Sequence, residues 1–219
     1  MAASDDDDIP AQYASPPCFM HELDPAFRAT VTEPAEVRRW RKAERERLIQ
    51  ARLAVSADAR AAMAARIAEG LDSIVGDVAG RMVSLYWPFR GEPDLRPWMA
   101  SVNQRGGFTA LPIVVEKGQP LVFKAWKAGE PLEKGVWNIP IPAHGDPVLP
   151  DIVISPVVGI DPDNYRLGYG GGFYDRTLAA MPCKPLVIGV GYELQRIPTI
   201  YPQQHDIPME RFVSEAFQG

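Results

Sequence analysis

The sequence predicts an α/β protein: a three-layer sandwich with a mostly parallel central sheet and helices on both faces. Three observations predict it. Segments with strand character alternate with segments of helical periodicity, the order expected of a layered α/β chain. Asp151 to Val158 is a nearly continuous apolar and β-branched run, as expected for a strand buried on both faces of a parallel sheet. A glycine-rich turn and then a helix follow that strand.

Thr32 or Glu33 followed by Pro34 starts the first helix, since proline is tolerated in the first turn. At 3.6 residues per turn, Arg38, Arg41, Arg45 and Arg52 fall on one stripe of it. Ser56 is the expected N-cap of a second helix, with Met63, Ile67 and Leu71 at i, i+4 and i+8 as its buried stripe. Met82 to Trp87 reads as a strand. A helix opening near Pro93 sets Leu95, Trp98, Met99 and Val102 on one face and ends at Gly106-Gly107. Phe108 to Val115 and Leu121 to Trp126 are further strands, joined by the turn residues Lys117-Gly118-Gln119-Pro120. Residues 127–150 read as loop, punctuated by Pro131, Pro140, Pro142, Pro147 and Pro150. Beyond the Asp151 strand come a helix over about Phe173 to Met181 and a buried strand over Leu186 to Val190. There is no internal repeat and no domain-scale linker.

Composition narrows the function classes. The 219 residues are 46% apolar and 23% charged, enough for one domain with a sizeable core and against a disordered chain despite 22 prolines. The longest apolar run, Ile152 to Ile160, is broken by Ser155 and Pro156 and falls far short of the roughly 20 residues that span a bilayer. A net charge of −5 argues against a nucleic-acid partner. Cys18, Cys183 and three histidines make neither a disulfide framework nor a closed Cys/His zinc site. Residues 1–35 carry seven acids, Asp5 to Asp8 among them, against the single base Arg28, the opposite of a secretory signal. They read as an acidic, partly disordered extension ahead of one domain over 36–219, and the expected compartment is the cytoplasm. The stretch Tyr13 to His21 is apolar enough to pack over a domain edge or a partner subunit.

Chemistry concentrates in Arg166-Leu167-Gly168-Tyr169-Gly170-Gly171-Gly172-Phe173-Tyr174-Asp175-Arg176. Glycines let the backbone approach a ligand, and a helix N-terminus offers free N–H groups, so the turn favours an anion, above all phosphate. Its spacing is neither the dinucleotide fingerprint nor the lysine-bearing phosphate loop, and a tight packing turn has the same composition. Arg166 can present a forked donor to phosphate. Asp175, in the first helical turn, can complement the helix dipole or hold Mg²⁺ beside substrate phosphates. Asp206, in Gln204-His205-Asp206-Ile207-Pro208-Met209, is the candidate second carboxylate. The arginine stripe reads either as a solvated face balanced by Glu44 and Glu46 or as a phosphate-facing one. No Ser/His/Asp or Cys/His constellation offers a nucleophilic alternative.

Further segments join this one in order: Arg41-Lys42-Ala43-Glu44-Arg45, Leu85 to Glu92 ending in Gly-Glu, Gly135-Val136-Trp137-Asn138-Ile139-Pro140, Asp151 to Pro156 and His205-Asp206-Ile207-Pro208. Together they resemble the 5-formyltetrahydrofolate cyclo-ligase (methenyltetrahydrofolate synthetase) family, whose glycine segment has the pattern R-L-G-x-G-x-G-[FY]-Y-D-R. The resemblance runs from about residue 36 to 215. It departs from the family pattern at residues 1–35, at Gly159-Ile160, where a small residue and Phe are common, and at Gly171, where some members carry a base.

The resemblance implies an enzyme that uses ATP and Mg²⁺ to cyclise 5-formyltetrahydrofolate to 5,10-methenyltetrahydrofolate, releasing ADP and phosphate through a phosphorylated formyl intermediate. It implies that Arg41, Lys42 and Arg45 meet the ATP phosphates together with Arg166, Leu167, Gly168, Tyr169, Gly170, Gly171, Gly172, Phe173 and Tyr174, Arg166 and Tyr174 being the catalytic pair. Glu92 would accept from the pterin N–H edge, and Trp87, Trp137 and Tyr169 would offer flat faces to the folate rings. Asp175 and Asp206 would hold the metal. Two rivals remain: a paralogue that binds nucleotide and a folate-like ligand without turnover, and a non-catalytic anion- and protein-binding module.

Overall fold

Glu33 stands at the N-cap and Pro34 at the first position of α1 (Pro34–Ala54), where proline's missing N–H has no acceptor to lose. The computed structural model describes residues 33–217, so the extension expected over 1–35, with Cys18 and the Tyr13 to His21 stretch, lies almost wholly outside the described residues. Ser56 caps α2 (Ala57–Val75), its hydroxyl accepting from the Ala59 N–H at 3.2 Å. Two shorter helices follow, α3 (Arg96–Gln104) and α4 (Phe173–Ala180).

The strands are β1 (Met82–Ser84), β2 (Phe108–Ile113), β3 (Val122–Ala125), β4 (Leu132–Lys134), β5 (Pro140–Pro142) and β6 (Pro147–Val148). After them come β7 (Ile152–Pro156), β8 (Gly159–Ile160), β9 (Arg166–Leu167), β10 (Leu186–Val190) and β11 (Arg211–Val213). Seven of them form the central sheet in the order β11-β10-β7-β1-β2-β3-β6. The first five of that order run parallel, while β3 pairs antiparallel with β2 and β6 antiparallel with β3. β4 with β5, and β8 with β9, are separate antiparallel pairs.

Period-two alternation sorts the core into the two expected interfaces. On one face Val83, Ile152, Ile154, Ile188 and Val190 pack against Ile67, Leu71 and Val75 of α2 and Trp98, Met99 and Val102 of α3. On the other, Val153, Val187, Phe123 and Phe212 pack with Tyr174 and Leu178 of α4. Each fully buried Ile or Leu here contributes about 1.5–3 kcal/mol of transfer free energy. α1 packs elsewhere, its Leu48 and Ile49 meeting Val158, Leu167, Ile197 and Ile200. Gly159 permits that approach, because a Cβ there would stand 2.9 Å from Leu48 Cδ1.

Several boundaries differ from expectation. The strand expected over Met82 to Trp87 stops at Ser84; Leu85 still bonds Ala110, after which the chain leaves the sheet. The proline-rich 127–150 stretch contains β4, β5 and β6, short edge pieces where proline's missing donor is tolerated. Arg166-Leu167, read as turn, is a strand paired with Gly159-Ile160. β11, which carries too few residues for a visible period, was not expected.

The order in which strands are added reverses between the parallel neighbours β1 and β7. β1 proceeds through α3 to β2 on one side, and β7 proceeds through α4 to β10 on the other. In an open parallel sheet such a switch point leaves a crevice at the carboxyl ends of the two strands, where ligands bind. The loop 85–92 and the segment 157–172 are its two walls.

Candidate active site

The last turn of α1 closes the crevice from above the switch point. Arg52, fully buried, donates from Nε to the Arg90 carbonyl at 2.9 Å and from Nη1 to the Val157 carbonyl at 3.2 Å, joining the two walls. Its Nη2 donates to the Tyr169 hydroxyl at 2.6 Å. That hydroxyl in turn donates to Glu92 Oε1 at 2.9 Å, while Glu92 Oε2 accepts from the Phe89 N–H at 2.9 Å. Burial pushes the Glu92 carboxyl up to about 7; the Arg52 charge, the Phe89 N–H and the Tyr169 hydroxyl restrain the rise. Burial also pushes Tyr169 well above the ordinary phenol range. Arg52 was visible in the sequence only as the last member of the arginine stripe, seven residues beyond Arg45.

Next on the stripe, Arg45 meets the glycine turn. Arg45 donates from Nε to the Gly168 carbonyl at 2.6 Å. A Cβ on Gly170 would stand 3.4 Å from the Arg45 guanidinium carbon, and Gly170 has φ +95°, so both space and backbone call for glycine. Burial, with Arg41 nearby, lowers the Arg45 guanidinium. Arg41 donates to the carbonyls of Ile200 and Tyr201 at 2.9 Å each and to both oxygens of Asp206. Lys42 is exposed and bonds nothing among the described residues. Arg38 stays on the solvated side, whereas Arg41, Arg45 and Arg52 turn inward onto protein carbonyls.

Arg166 is buried beneath the turn. It donates to Asp175 Oδ1 at 2.7 Å and to the Ile207 carbonyl at 3.3 Å, with its guanidinium 5.5 Å from the Tyr174 ring centre. Burial lowers its guanidinium despite the attraction of Asp175. The Tyr174 hydroxyl is buried without a hydrogen-bond partner, and burial raises it well above the ordinary phenol range. Gly172, at φ +62°, is the N-cap of α4, and Arg176 folds back to donate to the Gly171 carbonyl. Phe173 meets Trp137 edge-on at 6.1 Å between ring centres. Trp137 is 60% exposed and sits at φ +57°, a conformation that costs a non-glycine residue on the order of 1 kcal/mol or more. Trp87 shares the 85–92 loop with Glu92 but lies half-buried, edge-on to Trp126 at 5.9 Å and beneath the Arg96 guanidinium.

The two carboxylates expected to serve Mg²⁺ are each paired with an arginine. Asp206 takes Arg41 on both oxygens and the Gln203 N–H on Oδ2 at 2.6 Å. Asp175 Oδ1 takes Arg166 and the Ile207 N–H at 3.1 Å, whereas Oδ2 has no hydrogen-bond partner among the described residues. Among the described residues no group of three or more His, Cys, Asp and Glu could hold a metal ion. The donor set therefore fits an ion that arrives on phosphates, which needs only one or two protein carboxylates, and Asp175 Oδ2 is the freer oxygen.

Arg41, Arg45, Arg166, the glycine turn, Asp175 and Asp206 are thus linked in one cluster, with Glu92 joined to it through Tyr169. A groove of about 510 Å³ around Arg81, Asp151 and Lys184 lies at the opposite, amino ends of the strands and contains none of these groups.

The chain is similar to known proteins of one family. A model of the 5-formyltetrahydrofolate cyclo-ligase family matches residues 37–215. The chain is 29% identical over 136 residues to the 5-formyltetrahydrofolate cyclo-ligase of Haemophilus influenzae, covering 58% of this chain and 72% of that one. It is 29% identical over 144 residues to that of Escherichia coli K12, covering 63% and 79%. The NMR structure of Aquifex aeolicus 5,10-methenyltetrahydrofolate synthetase aligns with a TM-score of 0.70 at 26% identity, covering 81% of this chain and 90% of that one. The Mycoplasma pneumoniae synthetase shares the fold at a TM-score of 0.67 and 20% identity, covering 80% and 98%.

Proposed function

The chain belongs to the 5-formyltetrahydrofolate cyclo-ligase family, and on that premise we propose which of its groups perform the family's reaction. The reaction is the ATP-dependent cyclisation of 5-formyltetrahydrofolate to 5,10-methenyltetrahydrofolate, with release of ADP and phosphate. The formyl oxygen attacks the γ-phosphate and ADP departs. N10 then attacks the activated formyl carbon and gives up its proton to the departing phosphate or to water, and the C–O bond breaks to expel phosphate and leave the methenyl bridge.

Such chemistry needs alignment and charge stabilisation rather than a strong base. Arg45, Arg41 and Lys42 meet the phosphates from α1, and the N–H groups of Gly168 to Tyr174 wrap them from the other side. Arg166 and Tyr174 hold the transferring phosphoryl group; the unpartnered Tyr174 hydroxyl supports this, since a buried O–H without an acceptor is costly until a ligand supplies one. Glu92 accepts from the pterin N–H edge, with Trp87, Tyr169 and Trp137 flanking the rings. Asp175, and then Asp206, would hold Mg²⁺ beside the phosphates, where the ion would supply charge neutralisation. Residues 1–35 are an extension to one catalytic domain, and the protein acts in the cytoplasm on small molecules. Among the described residues no helix is long and apolar enough to cross a membrane.

The observation that supports this assignment is the chain of contacts Arg52–Tyr169–Glu92, which links the glycine turn to the buried carboxylate. Purified protein is expected to generate the conjugated methenyl product, followed as new near-ultraviolet absorbance, only when 5-formyltetrahydrofolate, ATP and Mg²⁺ are all present. Product without ATP, or none under any condition, overturns the assignment.

A further inference from the structure

We propose that Tyr169 is a positioning residue that couples the phosphate-binding turn to Glu92, so that nucleotide in the turn tightens folate binding in the crevice. The proposal rests on the folate assignment of Glu92 made above. Position 169 is the first open position of the R-L-G-x-G-x-G pattern, so the pattern by itself does not require the coupling.

The geometry shows how it works. Arg52 can only donate, and it occupies one lone pair of the Tyr169 oxygen at 2.6 Å. The single O–H of Tyr169 must therefore point to an acceptor, and Glu92 Oε1 at 2.9 Å is closer than the Phe89 carbonyl at 3.4 Å. With the Phe89 N–H on Oε2, both Glu92 oxygens act as acceptors in this network and keep lone pairs for a ligand. Tyr169 is flanked by Gly168, whose carbonyl accepts from Arg45, and by Gly170, which lies against the same guanidinium. A phosphate that draws Arg45 acts on the backbone on both sides of Tyr169. Its ring remains 42% exposed and tilted against Phe89 at 5.8 Å, so the residue bridges the two loops by its tip.

The charged and titratable groups facing Glu92 are Arg52 from α1, Tyr86 from its own loop, Tyr169 from the turn, Tyr174 from α4 and Tyr192 after β10. Of these, Arg52 and Tyr169 favour the ionised carboxylate. Removing the Tyr169 hydroxyl leaves Glu92 to protonate at higher pH.

Tyr169→Phe keeps the ring and deletes only the donor. The dissociation constant of 5-formyltetrahydrofolate is measured by titration calorimetry, with and without a non-hydrolysable ATP analogue and Mg²⁺, across pH 6 to 9. The wild-type protein is expected to bind the folate about fivefold or more tightly when the analogue is present, and the analogue to tighten by the same factor in the presence of folate. Tyr169→Phe should bring that factor close to one, leave the affinity for the analogue alone within about twofold, and move the acid limb of folate binding up by about one pH unit. Wild-type coupling that is absent, or that survives in Tyr169→Phe with an unmoved acid limb, overturns the proposal. In Glu92→Gln the added Tyr169→Phe change should have no further effect on the limb; a further shift likewise overturns it. Turnover of the wild type is followed separately, so a catalytically silent protein that still shows the coupling refutes the cyclo-ligase assignment and not the coupling.

Discussion

Arg41 of α1 and Asp206, 165 residues further along the chain, form an ion pair that closes to 2.5 Å with side-chain exposures of only 11% and 8%. The pair pins the segment before β11 onto the first helix. Burial alone would raise the Asp206 carboxyl, but the Arg41 hydrogen bonds and the Gln203 N–H outweigh it and hold the group below the usual carboxylate range. A carboxyl depressed in the folded state contributes stability that is fully present above about pH 4 and is lost as pH falls through the folded value.

Asp206→Asn should therefore lower stability at pH 7 by about 1–3 kcal/mol, because Arg41 loses its countercharge while keeping two carbonyl acceptors. Thermal melts should show that deficit shrinking toward pH 3. If Asp206 also serves the metal, the Mg²⁺ concentration for half-maximal rate rises as well. A variant with wild-type melting and wild-type Mg²⁺ dependence would remove both roles.

Asp175→Asn tests the freer carboxylate. Loss of one preorganised electrostatic contact to a transferring phosphoryl group should cut turnover on the order of 10²-fold, about 3 kcal/mol. Raising Mg²⁺ should recover part of the rate. A role confined to the helix dipole and the buried Arg166 pair predicts a stability loss of about 1–3 kcal/mol or more with near-normal turnover, and Mg²⁺ titrations beside a thermal melt separate the two outcomes.

Glu92 imposes the opposite pH dependence on stability. Its carboxyl rises from 4.5 to about 7 on folding, so the native state binds the proton more tightly than the unfolded chain. Stability is unaffected by this group below about pH 4.5, falls as pH climbs to 7, and is flat above, a total of about 3 kcal/mol. Glu92→Gln should flatten that slope while raising KM for the folate about tenfold or more. Denaturant titrations at pH 4.5, 6 and 8 check the first; an unchanged slope would show that the carboxyl is not desolvated as described.

Trp137→Ala should leave the melting temperature within a degree or two, since the indole is mostly exposed and, among the aromatic rings of the described residues, rests on Phe173 alone. If the indole covers the folate, KM for the folate rises about tenfold with kcat little changed. Steady-state kinetics in both substrates decide it, and an effect confined to ATP would move Trp137 to the nucleotide.

Deleting residues 1–31 should preserve solubility and most turnover, because the family match begins at residue 37 and α1 at Pro34. Circular dichroism and the absorbance assay on the shortened chain provide the check. Collapse of either would show that the extension packs into the working protein.

What the sequence by itself determined was local. The β-branched run at β7, the Ser56 cap, the stripe of α2 and the glycine turn leading into α4 each declare themselves within one period or one turn of chain. The anion-binding reading of that turn arose for the same reason, since glycine spacing and a helix N-terminus are neighbours in sequence. Tertiary structure alone decided what lies across from it. Arg52 looked like one more arginine on a charged helix until β1 and β7 set Arg90, Val157 and Tyr169 around it. Asp206 read as a metal carboxylate, and only the return of the chain revealed Arg41 against it. β9 and β11 were invisible because two or three residues carry no measurable period and take their conformation from a partner strand. Periodicity and turn chemistry act over a few residues, whereas charge compensation, burial and strand pairing are settled by which distant segments the fold brings together.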